Sequence, residues 1–141
     1  MSRKVIVTSE HSGLHQVITI GPHQLKADEP IAFGGTDAGP DPYELLLAAL
    51  GACTGITIRM YAQRKRWPLE GVEVQLAHSK IHAADCAECE TQPRTLDRIE
   101  RQISFTGKLS TDQLQRLREI ADRCPVHRTL TSQLEIRTST L

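Results

Sequence analysis

The sequence predicts an α+β fold in which hairpin-built antiparallel sheets surround one long apolar helix. Strand-like segments occur in clusters rather than in βαβ alternation. The central run PYELLLAALGACTGITIRMYA is apolar on every side of a helical wheel, so it reads as a helix buried all round. Capping residues mark where the helices begin.

The elements follow in order. Residues 4–8 (KVIVT) are β-branched and read as a strand. Residues 15–20 and 23–28 flank Gly21-Pro22, a turn signal, and read as a hairpin; 33–41 (FGGTDAGPD) reads as a loop. Asp41 as N-cap, Pro42 at N1 and Glu44 at N3 then start the long helix. Its polarity returns at Arg59 and at Gln63-Arg64-Lys65-Arg66, a basic C-terminus, and Pro68 stops it. Two strands follow, 71–82 and 97–106. In the second, Ile99, Ile103 and Phe105 share a face on which Arg101 intrudes. Ser110 with Gln113 opens an amphipathic helix whose stripe is Leu114, Leu117, Ile120 and Ala121. Cys124-Pro125 opens a short further helix, and Leu134 and Ile136 alternate in an expected final strand.

The 141 residues are expected to form a single domain, 1–141. Lys+Arg and Asp+Glu number 17 each, which removes the electrostatic case for nucleic acid or an anionic membrane. No 18-residue stretch lacks a charge, so no bilayer span is expected. The N-terminus has no apolar leader pattern, and the expected location is the cytoplasm. There, four cysteines point to redox or metal chemistry rather than to a disulfide frame. A small domain cannot cover a helix that is apolar all round, so a second subunit is the natural cover.

Two cysteines carry the candidate chemistry. Cys124, if it is the N-cap before Pro125, meets free backbone N–H groups that favour a thiolate, with His127 at N3; the alternative is a buried cysteine that merely ends a helix. Cys53, mid-helix and in apolar surroundings, reads first as packing, and reactivity would need a cation from another segment or subunit. Glu44 lies nine residues before Cys53, about 13–14 Å and 900° along a helix, so the two occupy opposite faces of one chain. His82, Cys86 and Cys89 form H-x3-C-x2-C, a zinc site lacking its fourth ligand, for which Asp85, Glu88, Glu90 or a partner chain are candidates; a loop disulfide or two unconnected thiols are the alternatives.

The helix PYELLLAALGACT, the segment CPVH after an amphipathic helix and the short closing strand together resemble the OsmC/Ohr superfamily over about residues 5–138. The resemblance implies an OsmC-like fold and an intertwined homodimer with its long helices at the centre. It also implies thiol-dependent reduction of organic hydroperoxides. Cys53 would be the peroxidatic thiol and Cys124 the resolving thiol, with a dithiol such as a lipoylated protein as reductant and no required cofactor. The family's activating Arg, from the N-terminal strand region, has no counterpart in SEHSGLHQ, where His11 is nearest. Arg94, Arg98 and Arg101 are the candidate substitutes. The family's Glu position holds Tyr43, with Glu44 one residue later. The alternative on the same fold is a non-catalytic stress protein that binds a small molecule or a metal.

Overall fold

The computed structural model describes residues 3–82 and 95–140. These contain five strands, β1 (Val5–Ser9), β2 (Gln16–Ile20), β3 (His23–Ala27), β4 (Gly71–His82) and β5 (Thr95–Thr106). The helices are α1 (Pro42–Lys65), α2 (Thr111–Ala121) and α3 (Pro125–Leu130). The chain forms two compact units, Met1–Leu46 and Leu47–Leu141.

The first unit is an antiparallel meander in the order β1-β2-β3. Ile20 pairs with His23 across a two-residue loop, and Gly21 supplies the positive φ (56°) that such a loop needs. Downstream, the expected loop 33–41 is preceded by a 3-10 turn at Ile31–Phe33. The loop is organised by Asp28, a buried carboxylate. Its Oδ1 accepts the Glu29 N–H (2.8 Å). Its Oδ2 accepts the Thr36 and Ala38 N–H groups (3.1 and 3.0 Å) and the Thr36 hydroxyl (2.9 Å). These donors, the Ala38 and Glu29 N–H groups foremost, hold its acidity at about 2. A carboxylate with a lowered folded value adds stability that is full above its unfolded value and lost as pH falls through the folded one. Asp28→Asn is therefore expected to lower Tm at neutral pH and to lose part of the parent's drop in Tm between about pH 4 and 2. Thermal melts across that window check it.

The start of α1 is as the sequence indicates: Asp41 Oδ1 accepts the Glu44 N–H at 2.8 Å. Its end is a Schellman cap. The Trp67 N–H reaches the Ala62 carbonyl (2.9 Å) and the Arg66 N–H the Gln63 carbonyl (3.1 Å). The residue in the left-handed position is Arg66, at φ 58°. Because a side chain is strained there, Arg66→Gly is expected to raise stability by about 0.5–1 kcal/mol, read as a higher denaturation midpoint at unchanged slope.

In the second unit β4 and β5 pair antiparallel from Gly71↔Thr106 to His82↔Thr95. The second half of α1 and the stripe of α2 bury a core of Ile58, Tyr61, Ala62, Leu69, Leu117, Ile120 and Ala121. Val72, Ile103 and Phe105 of the sheet pack against it. Gly51 of α1 lies so close to Leu76 that an added Cβ would sit 2.8 Å from Leu76 Cδ1. Ser110 and Gln113 form a reciprocal capping box at the start of α2.

Within one chain α1 is covered on one side only. Its buried residues, Leu50, Thr54, Ile58, Tyr61 and Ala62, make one stripe, while Ile56 and Met60 stay exposed (59% and 64%), because one chain supplies cover on only one side. The expected last strand is absent: residues 133–140 form no regular element and Leu134 and Ile136 are exposed, and no described strand pairs with them, which alternation alone cannot supply. By length and composition alone, α1 is apolar enough to cross a membrane, although a few charges punctuate it. Ile58, Tyr61 and Ala62 of its buried stripe lie in a protein core.

Candidate functional site

The site is built around Cys124. The turn after α2 brings the Cys124 N–H to the Ala121 carbonyl (3.4 Å), and Pro125 then starts α3. Cys124 is the N-cap, as its position before proline indicated, and its Sγ accepts the His127 N–H at 3.2 Å. The side chain is fully enclosed, with 0% exposure.

Facing the sulfur from α1 is Thr54, also fully buried, with Oγ1 3.9 Å from Cys124 Sγ. The same hydroxyl lies 2.7 Å from the Leu50 carbonyl one turn back. Cys53 precedes Thr54, so its side chain leaves the helix about 100° away; it is only partly buried. Both cysteines are free thiols.

Arg101 reaches in from β5. Nη1 donates to Thr54 Oγ1 (3.0 Å), and Nη2 donates to Asp122 Oδ1 (2.9 Å) and to His127 Nδ1 (3.4 Å). Because a guanidinium only donates, Nδ1 of His127 is the acceptor in this contact. Leu50, Ile99, Arg101, His127 and Leu130 line a cavity of about 260 Å³ that Asp97 borders. Asp97 Oδ1 contacts His78 Nε2 (2.8 Å) and Lys80 Nζ (3.3 Å), and these partners, His78 first, hold its carboxyl below the usual range.

The other sequence candidates lie elsewhere. Glu44 is exposed in the first turn of α1, and the neighbouring Asp41 carboxyl, by hydrogen bond and by like charge, raises its carboxyl above the usual value. His11 is exposed in the bend between β1 and β2. His82 is exposed at the end of β4, while Cys86, Cys89 and Arg94 lie outside the described residues. Sequence reasoning missed Thr54, which looked like one more residue of an apolar helix. Arg101 did leave a signal, a charge on the apolar face of β5.

Among the described residues two free thiols stand on a hairpin-built α+β frame, one partly buried on the long helix and one sealed at a helix start, and they define a thiol-bearing class of protein. Residues 35–139 match the model of the OsmC-like protein family, and the chain belongs to that family. No curated protein matches it. Among solved structures it is similar to an OsmC-like protein from Mycoplasma pneumoniae (19% identity, TM-score 0.70, covering 92% of this chain and 87% of that one). An organic hydroperoxide resistance protein OsmC from Legionella pneumophila is similar at 21% identity and TM-score 0.64, covering 91% and 89%. The organic hydroperoxide resistance protein OhrB of Bacillus subtilis is similar at 18% identity and TM-score 0.62, covering 93% and 91%. At such identities the likeness establishes the fold.

Proposed function

We propose that the protein is a cytoplasmic thiol peroxidase that reduces organic hydroperoxides. One observation carries the assignment of roles. Within one chain Cys53 is partly exposed, whereas Cys124 is fully enclosed, so Cys53 is the thiol more open to an incoming hydroperoxide. Position in the helix alone favoured Cys124 as the reactive thiol; access favours the reverse. The hydroperoxide resistance proteins among its structural neighbours support the substrate class.

The Cys53 thiolate attacks the terminal oxygen of ROOH. The O–O bond breaks, the alkoxide takes a proton to leave as ROH, and Cys53 becomes a sulfenic acid. Cys124 then attacks the Cys53 sulfur; the S–O bond breaks, a disulfide forms and hydroxide leaves as water. A dithiol of the lipoyl type returns both thiols by exchange and is itself oxidised to a disulfide. Consumption of cumene hydroperoxide with dihydrolipoamide tests the reading, and an inert wild-type protein overturns it.

The working form in this proposal is a homodimer. The uncovered face of α1 holds the contact that a second copy would make, at Ile56 and Met60, and Cys53, on the same face seven residues before Met60, would then lie in a pocket at that contact. Ile56→Asp with Met60→Asp is expected to give a monomer in sedimentation velocity, and an unchanged dimer, or a monomeric parent, counts against the assembly.

A further inference from the structure

Arg101 sits in the wall of the thiol site with its side chain only 12% exposed. A guanidinium stays charged, so one this enclosed must be matched by acceptors. Its acceptors are the Thr54 hydroxyl, Asp122 and His127. The Thr54 hydroxyl has one hydrogen and two neighbours able to accept it, the Leu50 carbonyl at 2.7 Å and Cys124 Sγ at 3.9 Å. Beside a neutral thiol the carbonyl keeps that hydrogen. Beside a thiolate the competition changes, because a hydrogen bond to an anion is the stronger one. Arg101 occupies a lone pair of the hydroxyl in either case, so the hydroxyl can turn without losing its donor.

We propose that Arg101 is a positioning residue for the second sulfur: acting through Thr54, it presents a hydroxyl donor and a positive charge to Cys124 and favours that sulfur as the nucleophile that closes the disulfide. Its part in turnover rests on the peroxidase reading above. The sulfur then receives the His127 N–H and the Thr54 O–H, with the guanidinium behind the latter. The charged and titratable groups around it are Arg101 from β5, His127 from α3 and Asp122 at the end of α2, with Arg118 of α2 sharing a cavity wall with Arg101 and Asp122. Cys53 neighbours Thr54 on α1. Asp97 borders the cavity with its partners His78 and Lys80 from β4. Asp122 opposes Arg101, because it neutralises part of the guanidinium charge.

This opposition makes the test signed. With Cys53, Cys86 and Cys89 replaced by serine in the full chain, Cys124 is the sole thiol, and its thiolate absorbance at 240 nm is followed against pH. Arg101→Gln and Thr54→Val are expected to move the thiolate band to higher pH, by roughly one unit for the arginine. Asp122→Asn is expected to move it lower, and Arg101→Lys to stay nearer the parent. A band unmoved by Arg101→Gln overturns the proposal, as does one that Asp122→Asn moves upward; a merely structural role moves both variants the same way. If Arg101→Gln does not fold by circular dichroism, the sign of Asp122→Asn decides. In the four-cysteine chain with peroxide, Arg101→Gln is expected to accumulate dimedone-trapped sulfenate on Cys53. A wild-type chain that consumes no hydroperoxide rejects the peroxidase reading, while the titration still judges Arg101.

Discussion

Cys53→Ser is expected to reduce hydroperoxide turnover to the uncatalysed background, a loss on the order of 10³-fold or more, as removal of a nucleophile does. Cys124→Ser is expected to fail differently. The first oxidation still occurs, one equivalent of hydroperoxide is consumed, and the reaction halts at the Cys53 sulfenate because no second thiol closes the disulfide. Dimedone labelling with peptide mass mapping separates the two outcomes: a Cys53 adduct in Cys124→Ser and none in Cys53→Ser. Full turnover by Cys53→Ser, or an adduct on Cys124 instead, would reverse the assignment made from exposure. The assay needs excess dihydrolipoamide, so that regeneration by exchange does not limit the parent.

The second large effect is on stability. Ile58 is 0% exposed, at the centre of the core that α1 shares with α2 and the β4–β5 sheet. Ile58→Ala removes three buried carbons and leaves a cavity among Tyr61, Leu117 and Ile120, which is expected to cost about 2–5 kcal/mol. Met60, two residues on, points out of the same helix at 64% exposure. Met60→Ala is expected to cost less than about 0.5 kcal/mol in dilute solution. Urea midpoints at unchanged slope measure both. On the dimer proposal, the gap between the two variants narrows as protein concentration rises and a second copy covers Met60. Equal losses in dilute protein would contradict the one-sided burial of α1.

The two variants also show what was legible in the sequence. The pattern of α2 was complete locally, since Ser110, Gln113 and the stripe from Leu114 to Ala121 specify a cap and a buried face without reference to anything distant. The strand 71–82 was equally readable, because its long alternation came with a second strand-like segment, 97–106, to pair with. The faces of α1 were not readable. A helix apolar all round gives no phase, and only the packing chooses Ile58 over Met60 for the core. Leu134 and Ile136 alternate like a strand, but a strand is a property of a pair of segments, and no partner is present in the described residues. In the site, the Cys124 cap was legible because Cys-Pro-x-His sets it within four residues. Thr54 was not, because its role comes from meeting a residue 70 positions away. Arg101 stood between: its misfit on an apolar strand face was visible, and its partners were not.

The complete enclosure of Cys124 has a consequence for the lifetime of the protein under excess oxidant. A sulfenic acid that meets a second peroxide advances to the sulfinic state, from which ordinary thiols do not recover it. A sealed Cys124 is shielded from that fate, so on the proposed chemistry damage concentrates on Cys53, and only during the interval before the disulfide closes. Inactivation then becomes a race between closure, whose speed does not depend on peroxide, and a second oxidation that scales with it. Any change that slows closure lowers the peroxide concentration at which the protein destroys itself.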